Sequence, residues 1–180
     1  MSEKHQTILL IDGSHYDRLK SVFETPLDLL RLRDIVTGGR LPDHAIYYRD
    51  VRDASEKERQ KPLFGWLRHN GFTVKGRAHD PREPRERYGT NLIEIAVDGL
   101  LLAGSGDHVV IVGADLKLAP LLGALRDDSI RTTLVSTLSA AATIAPSPLL
   151  LHRADAFIDI ADILHRIVLE RPFSGMAAGR

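Results

Sequence analysis

Three aspartates stand where a folded chain could set acids to work. Asp12 follows the run ILLI, Asp115 follows VVIVGA, and Asp98 lies inside the apolar segment LIEIAVDGLLLAG. If the two runs are neighbouring strands, their ends meet at one sheet edge, which is where open parallel sheets bind ligands. Carboxylates gathered in a small cleft repel one another, and a divalent cation relieves that repulsion. Hard oxygen donors with open positions suit Mg2+ or Mn2+ rather than zinc. Such an ion polarises a phosphoryl oxygen and lowers the pKa of a bound water, so the chemistry indicated is phosphodiester hydrolysis. Each acid also has an ordinary role open to it. Asp12, before Gly13-Ser14, can make an Asx turn or cap a helix, and Asp115 can cap a helix that begins near Leu116. Asp98 can pair with an arginine. Asn91 and Glu94 have the spacing of a capping box, and Glu94 lies one turn from Asp98 on the same helix face.

The elements that would position these residues are legible. Short aliphatic runs recur at Thr7 to Ile11, Ala45 to Tyr48, Phe72 to Val74, His108 to Val112, Thr132 to Val135 and Ala156 to Ile160. Each is separated from the next by enough chain for a crossover helix, which predicts a parallel α/β sheet. Leu27, Leu30 and Ile35 after Thr25-Pro26, and Leu63, Trp66 and Leu67 before Asn70-Gly71, have the spacing of covering helices. In the segment Asn91 to Ala103, Leu92, Ile95, Ala96, Gly99 and Leu102 form a core-facing stripe, with Asn91, Glu94 and Asp98 on another face. The text KGRAHDPREPRER, from Lys75 to Arg87, reads as an irregular loop, and the last residues, SGMAAGR, as a flexible tail.

Composition narrows the function. With 180 residues and 43% hydrophobic content the chain has the size of one domain. Lys+Arg and Asp+Glu both count 24, so a nucleic-acid site must be a local patch rather than the field of the whole molecule. Cysteine is absent, which excludes disulfides, thiolate zinc sites and Cys nucleophiles. The start lacks the apolar region of a secretory signal, and no stretch reads as a membrane span, so the expected location is the cytoplasm. Arg49, Arg52 and the cations of the Lys75 to Arg87 loop could form a phosphate-tracking rim. Neighbouring acids could equally neutralise them, and Tyr16, Tyr47, Tyr48 and Tyr88 are the few candidates for base stacking, with Tyr47 or Tyr48 expected to be buried by strand alternation.

ILLIDGSHY resembles the opening strand of the NYN domains, PIN-like nucleases of the LabA type. AIYYRD, FGWLRHNGFTV, IEIAVDGLLLA, VVIVGADLKLAPLLGALR and HRADAFIDI extend the likeness in order across residues 1–172, leaving 173–180 as the tail. The resemblance implies a PIN-like three-layer α/β/α sandwich with a central, mainly parallel sheet. It also implies a ribonuclease using Mg2+ or Mn2+ and leaving 5′-phosphates. On this reading Asp12, Asp98 and Asp115 are catalytic and hold the metal together with Glu94. Ser14, His15, Arg49, Asn91 and Lys117 contact phosphate or nucleic acid, single-stranded RNA being the expected partner and a second copy of the chain, as a homodimer, a further one. This chain departs from the family pattern at His15, where the family has Asn, and at Lys117, which replaces a second acid. The family's acid near the start of the acidic helix is absent too. These departures motivate an alternative: a catalytically lapsed domain that binds RNA or a protein. Acids after the first two runs, Asp12 and Asp50, leave a receiver-like phosphoacceptor as a third reading.

Overall fold

The computed structural model describes residues 5–78 and 90–169. Six strands form one sheet in the order β3-β2-β1-β4-β5-β6. They are β1 (Thr7–Asp12), β2 (His44–Tyr48), β3 (Thr73–Lys75), β4 (His108–Val112), β5 (Arg131–Ser136) and β6 (Ala156–Asp159). Every pairing is parallel. The helices are α1 (Gly13–Val22), α2 (Leu29–Val36), α3 (Ala54–His69), α4 (Thr90–Leu102), α5 (Ala119–Asp127), α6 (Pro148–Arg153) and α7 (Ile160–Ile167). All six runs read from the sequence are strands, and the acidic segment is α4.

Residue alternation explains the layers. Ile8 and Leu10 of β1 point to the face covered by α4 and α5, where Leu92, Ile95, Leu121 and Leu122 meet them. Leu9 and Ile11 point to the opposite face, against Leu19 of α1, Leu32 of α2 and Ile160 of α7. Both faces are covered, so β1 and β4 are almost wholly apolar rather than alternating. The arrangement is the three-layer α/β sandwich. Of the α4 stripe, Leu92, Ile95 and Gly99 are buried and Ala96 and Leu102 pack partly against the core. The outer side of α4 carries Ile93, Val97, Leu100 and Leu101 exposed.

Local differences from the sequence reading have local causes. Helix α2 starts at Leu29 with Asp28 as its cap, not at Thr25-Pro26. Leu27 forms an antiparallel bridge to Val168, and the Asp28 amide donates to the Ile167 carbonyl, which keeps this stretch out of the helix. Tyr47 and Tyr48 are both buried, one on each face, and Tyr16 is buried with its hydroxyl donating to the Leu27 carbonyl at 2.6 Å. These three rings are closed to base stacking. Tyr88, most of the basic loop and the tail at 173–180 lie outside the described residues.

Candidate active site

The strand order reverses between β1 and β4: the chain builds outward through β2 and β3, then returns to the other side of β1. Crevices open at such a switch point, outside the carboxyl ends of the strands. Asp12 ends β1, and Asp115 lies just beyond β4.

Asp12 is 2% exposed. Its carboxylate caps α1 by accepting from the Ser14 amide at 3.0 Å, and it also accepts from the Asn91 side-chain amide at 2.8 Å. Burial raises its pKa, while the hydrogen bonds from Asn91, Ser14 and His15 oppose the rise. Asn91 is the second residue of α4, so its side chain reaches across to the sheet instead of completing a capping box. Because the folded state holds the Asp12 proton more tightly than the unfolded chain does, ionising it costs stability as the pH rises above the ordinary value of 3.8. Asp12→Asn is therefore expected to raise Tm at neutral pH, with the gain shrinking as the pH falls toward 3.8 and gone below it. Thermal unfolding across that range checks it.

His15, one turn into α1, is 1% exposed, with Nε2 3.0 Å from the Ser136 hydroxyl of β5. Burial, aided by the charge of Arg18 and opposed by Asp115, lowers its pKa to about 4. It is a neutral, buried partner of Ser136 at neutral pH. Asp115 is half-buried and caps a short 3-10 turn at Leu116–Leu118 by accepting from the Lys117 amide at 2.9 Å. The Lys117 side chain is exposed. A cleft of about 320 Å3 is lined by His15, Arg18, Asp115, Thr143 and Ser147, among others.

Asp98 and Glu94 form a second grouping, on α4 above β2 and β3. Asp98 accepts from the Tyr48 hydroxyl at 2.6 Å and from the Lys75 ammonium at 2.8 and 2.7 Å through its two oxygens. Burial first, then the bond to Asp98 and its charge, push the Tyr48 hydroxyl above its ordinary pKa. Glu94 has one buried oxygen without a hydrogen-bond partner. Its pKa is raised by burial and by Asp50 and Asp98, with Lys75 and Arg77 acting against them. Arg49 is tied to acids: Nη1 lies 2.9 Å from Asp17 and donates to the Ser14 hydroxyl at 3.5 Å, while Nη2 lies 2.9 Å from Glu56.

The structure thus brings Asp12, Asn91, His15 and Asp115 to the switch point and sets Asp98 and Glu94 around Lys75. Among the described residues no three His, Cys, Asp or Glu side chains gather into a group that could hold a metal ion. The donor chemistry agrees: Asp12 faces an amide N–H, and Asp98 is capped by an ammonium and a hydroxyl. As arranged, these side chains do not fit a divalent cation. Sequence reasoning reads Lys75 as a rim cation and Tyr48 as a stacking candidate, and it misses Ser136, Glu56 and Arg18. Lys75 had one usable signal, since alternation along a third strand places it on the face of Tyr48.

No curated protein matches the chain. A solved structure of a Vibrio parahaemolyticus protein of unknown function matches at a TM-score of 0.73 and 19% identity, covering 94% of this chain and 99% of that one. That likeness shows the same fold. No helix among the described residues is long and apolar enough to cross a membrane. The family model of the NYN domain matches residues 6–164. NYN domains are typically PIN-like nucleases that use divalent ions, which supports a nuclease-type function at the level of the family. With most of its length matched, this chain belongs to the NYN domain family.

Proposed function

We propose that this chain binds single-stranded RNA across the carboxyl edge of its sheet, and that its acids hold that edge together instead of gathering Mg2+ or Mn2+ for hydrolysis. The observation that carries the reading is the pairing of Asp12. The acid of the first strand is buried against the neutral amide of Asn91, where a second carboxylate would be needed to share a cation. RNA as the ligand follows from the family. The single strand follows from the cleft, whose 320 Å3 has the scale of one splayed nucleotide rather than a duplex. Arg18 at its wall supplies a cation for phosphate, Thr143 and Ser147 supply hydroxyls, and exposed Lys117 extends the track.

A second reading, the ribonuclease using Mg2+ or Mn2+ on Asp12, Asp98 and Asp115, is favoured by one feature: Asp12 and Asp115 flank the switch point. Labelled single-stranded RNA distinguishes the two. Binding and cleavage are measured with Mg2+, Mn2+ or EDTA for the natural chain, Arg18→Ala and Asp12→Asn. The binding reading expects Arg18→Ala to weaken RNA affinity by about tenfold, near the lower end for a charge-assisted hydrogen bond. Background cleavage should be the same for the natural chain, with or without EDTA, and for Asp12→Asn. Metal-dependent cutting that disappears in Asp12→Asn would establish the ribonuclease instead.

A further inference from the structure

The Lys75 ammonium bridges both oxygens of Asp98, at 2.8 and 2.7 Å, in the manner of a bidentate cation. The backbone fixes where that ammonium is delivered. Lys75 pairs in register with Tyr48, and its carbonyl accepts from the Arg49 amide at 2.8 Å. The next residue, Gly76, has φ +155°, and a Cβ there would overlap the Arg49 carbonyl, so β2 and β3 approach too closely for any side chain at 76. Tyr48 supplies the other contact to Asp98, a hydroxyl at 2.6 Å. Glu94, one turn earlier on α4, adds a buried oxygen with no hydrogen-bond partner and feels the Lys75 charge directly.

We propose that Lys75 is a tethered cation that takes the place of a divalent ion at Asp98, so that the Asp98–Glu94 pair is closed to metal while the ammonium is present. The tether gives the ammonium a high effective concentration at the carboxylate, which an incoming ion must outcompete. The Lys75 side chain is 40% exposed and that of Asp98 12%, so the ammonium keeps part of its hydration while the acid is the buried member. Removing the ammonium leaves Asp98 buried without its counter-charge beside a second carboxylate, and a hard divalent cation is the group that relieves this. The inference concerns metal occupancy alone and stands or falls without RNA.

The test is Mn2+ binding without nucleic acid, followed by loss of the free-ion signal in electron paramagnetic resonance and by calorimetry. The natural chain, Lys75→Met, Lys75→Gln and the double variant Lys75→Met with Asp98→Asn are compared. The expected result is a new Mn2+ site in both single variants, tighter than any in the natural chain by on the order of ten- to a hundredfold, the scale set by one charge-assisted hydrogen bond. The double variant should lose it. Equal Mn2+ binding by the natural chain and the single variants overturns the proposal, as does a gain that persists without Asp98. If the single variants and the double variant all fail to fold, Lys75 serves the fold rather than the carboxylate, and the proposal is overturned as well; single variants that fold only with Mn2+, beside a double variant that folds without it, support it.

Discussion

Acidification from neutral pH to pH 4 is expected to remove about 3 kcal/mol of stability through His15 alone, and His15→Gln is expected to abolish that part of the loss. The ring is buried on α1 against the Ser136 hydroxyl, with the cation Arg18 nearby, and its pKa falls from 6.5 to about 4. Between those two values the unfolded chain binds a proton that the folded chain refuses, so stability falls as the pH falls through the window. The loss begins near 6.5 and saturates below about 4. Asp12 and Glu94 act in the opposite sense, because burial raises their pKa values and the folded state gains from protonating them. The measurement is therefore a difference: denaturant unfolding of natural chain and His15→Gln at matched pH. Gln keeps a hydrogen-bonding group for Ser136 but cannot take up a proton. The variant is expected to be somewhat less stable at neutral pH and to overtake the natural chain as the pH falls. Parallel profiles would show that the histidine is protonated in the folded state without penalty.

The same histidine shows where sequence reasoning stopped. Asp12, Gly13 and the aliphatic run before them are consecutive, so the strand, its end and the acid at its edge are all local facts. The site of His15 depends on Ser136, which lies 121 positions away on β5 and reaches it only once the sheet is assembled. A histidine three residues past a strand end therefore read as a phosphate contact, and the structure makes it a buried partner of Ser136. Asn91 behaves likewise. Its spacing to Glu94 is that of a capping box, but α4 packs on β1 and delivers the amide to Asp12 across 79 positions. Lys75 reads as the first cation of a basic loop because the sequence does not say how far β3 runs, and one further strand residue turns it inward onto Asp98. The burial of both Tyr47 and Tyr48 was more accessible, since a parallel sheet covered by crossover helices has no solvent face for either.

Glu56→Ala is expected to cost about 1.5–3 kcal/mol, the range for losing a hydrogen-bonded charged partner, because Arg52 is exposed and Arg49 keeps Asp17 at 2.9 Å. Glu56 is 3% exposed, near the start of α3. One oxygen accepts from Arg49 Nη2 at 2.9 Å, and the other accepts from the Arg52 amide at 2.9 Å and the Arg52 guanidinium at 3.2 Å. Burial alone would raise its pKa, but the Arg52 amide and the two guanidiniums together lower it below 4.5. A depressed carboxylate contributes stability above its unfolded value and loses it as the pH falls through the folded one, so the cost of the substitution should fade in strong acid. Unfolding midpoints of Glu56→Ala and the isosteric Glu56→Gln check both statements, and Gln is expected to be the milder change. A loss well under 1 kcal/mol in Glu56→Ala would place the pair among ordinary surface ion pairs. The substitution also decides what Arg49 does. In the natural chain its guanidinium is held by Glu56 and Asp17, and its Nε is buried without an acceptor, which leaves little charge to offer a phosphate. Replacing Glu56 with Gln removes one of the two neutralising charges at nearly constant shape. If RNA runs along this edge, Glu56→Gln should bind it more tightly than the natural chain, and the double variant Glu56→Gln with Arg49→Gln should not. Unchanged affinity in Glu56→Gln would confine Arg49 to holding α1, β2 and α3 together.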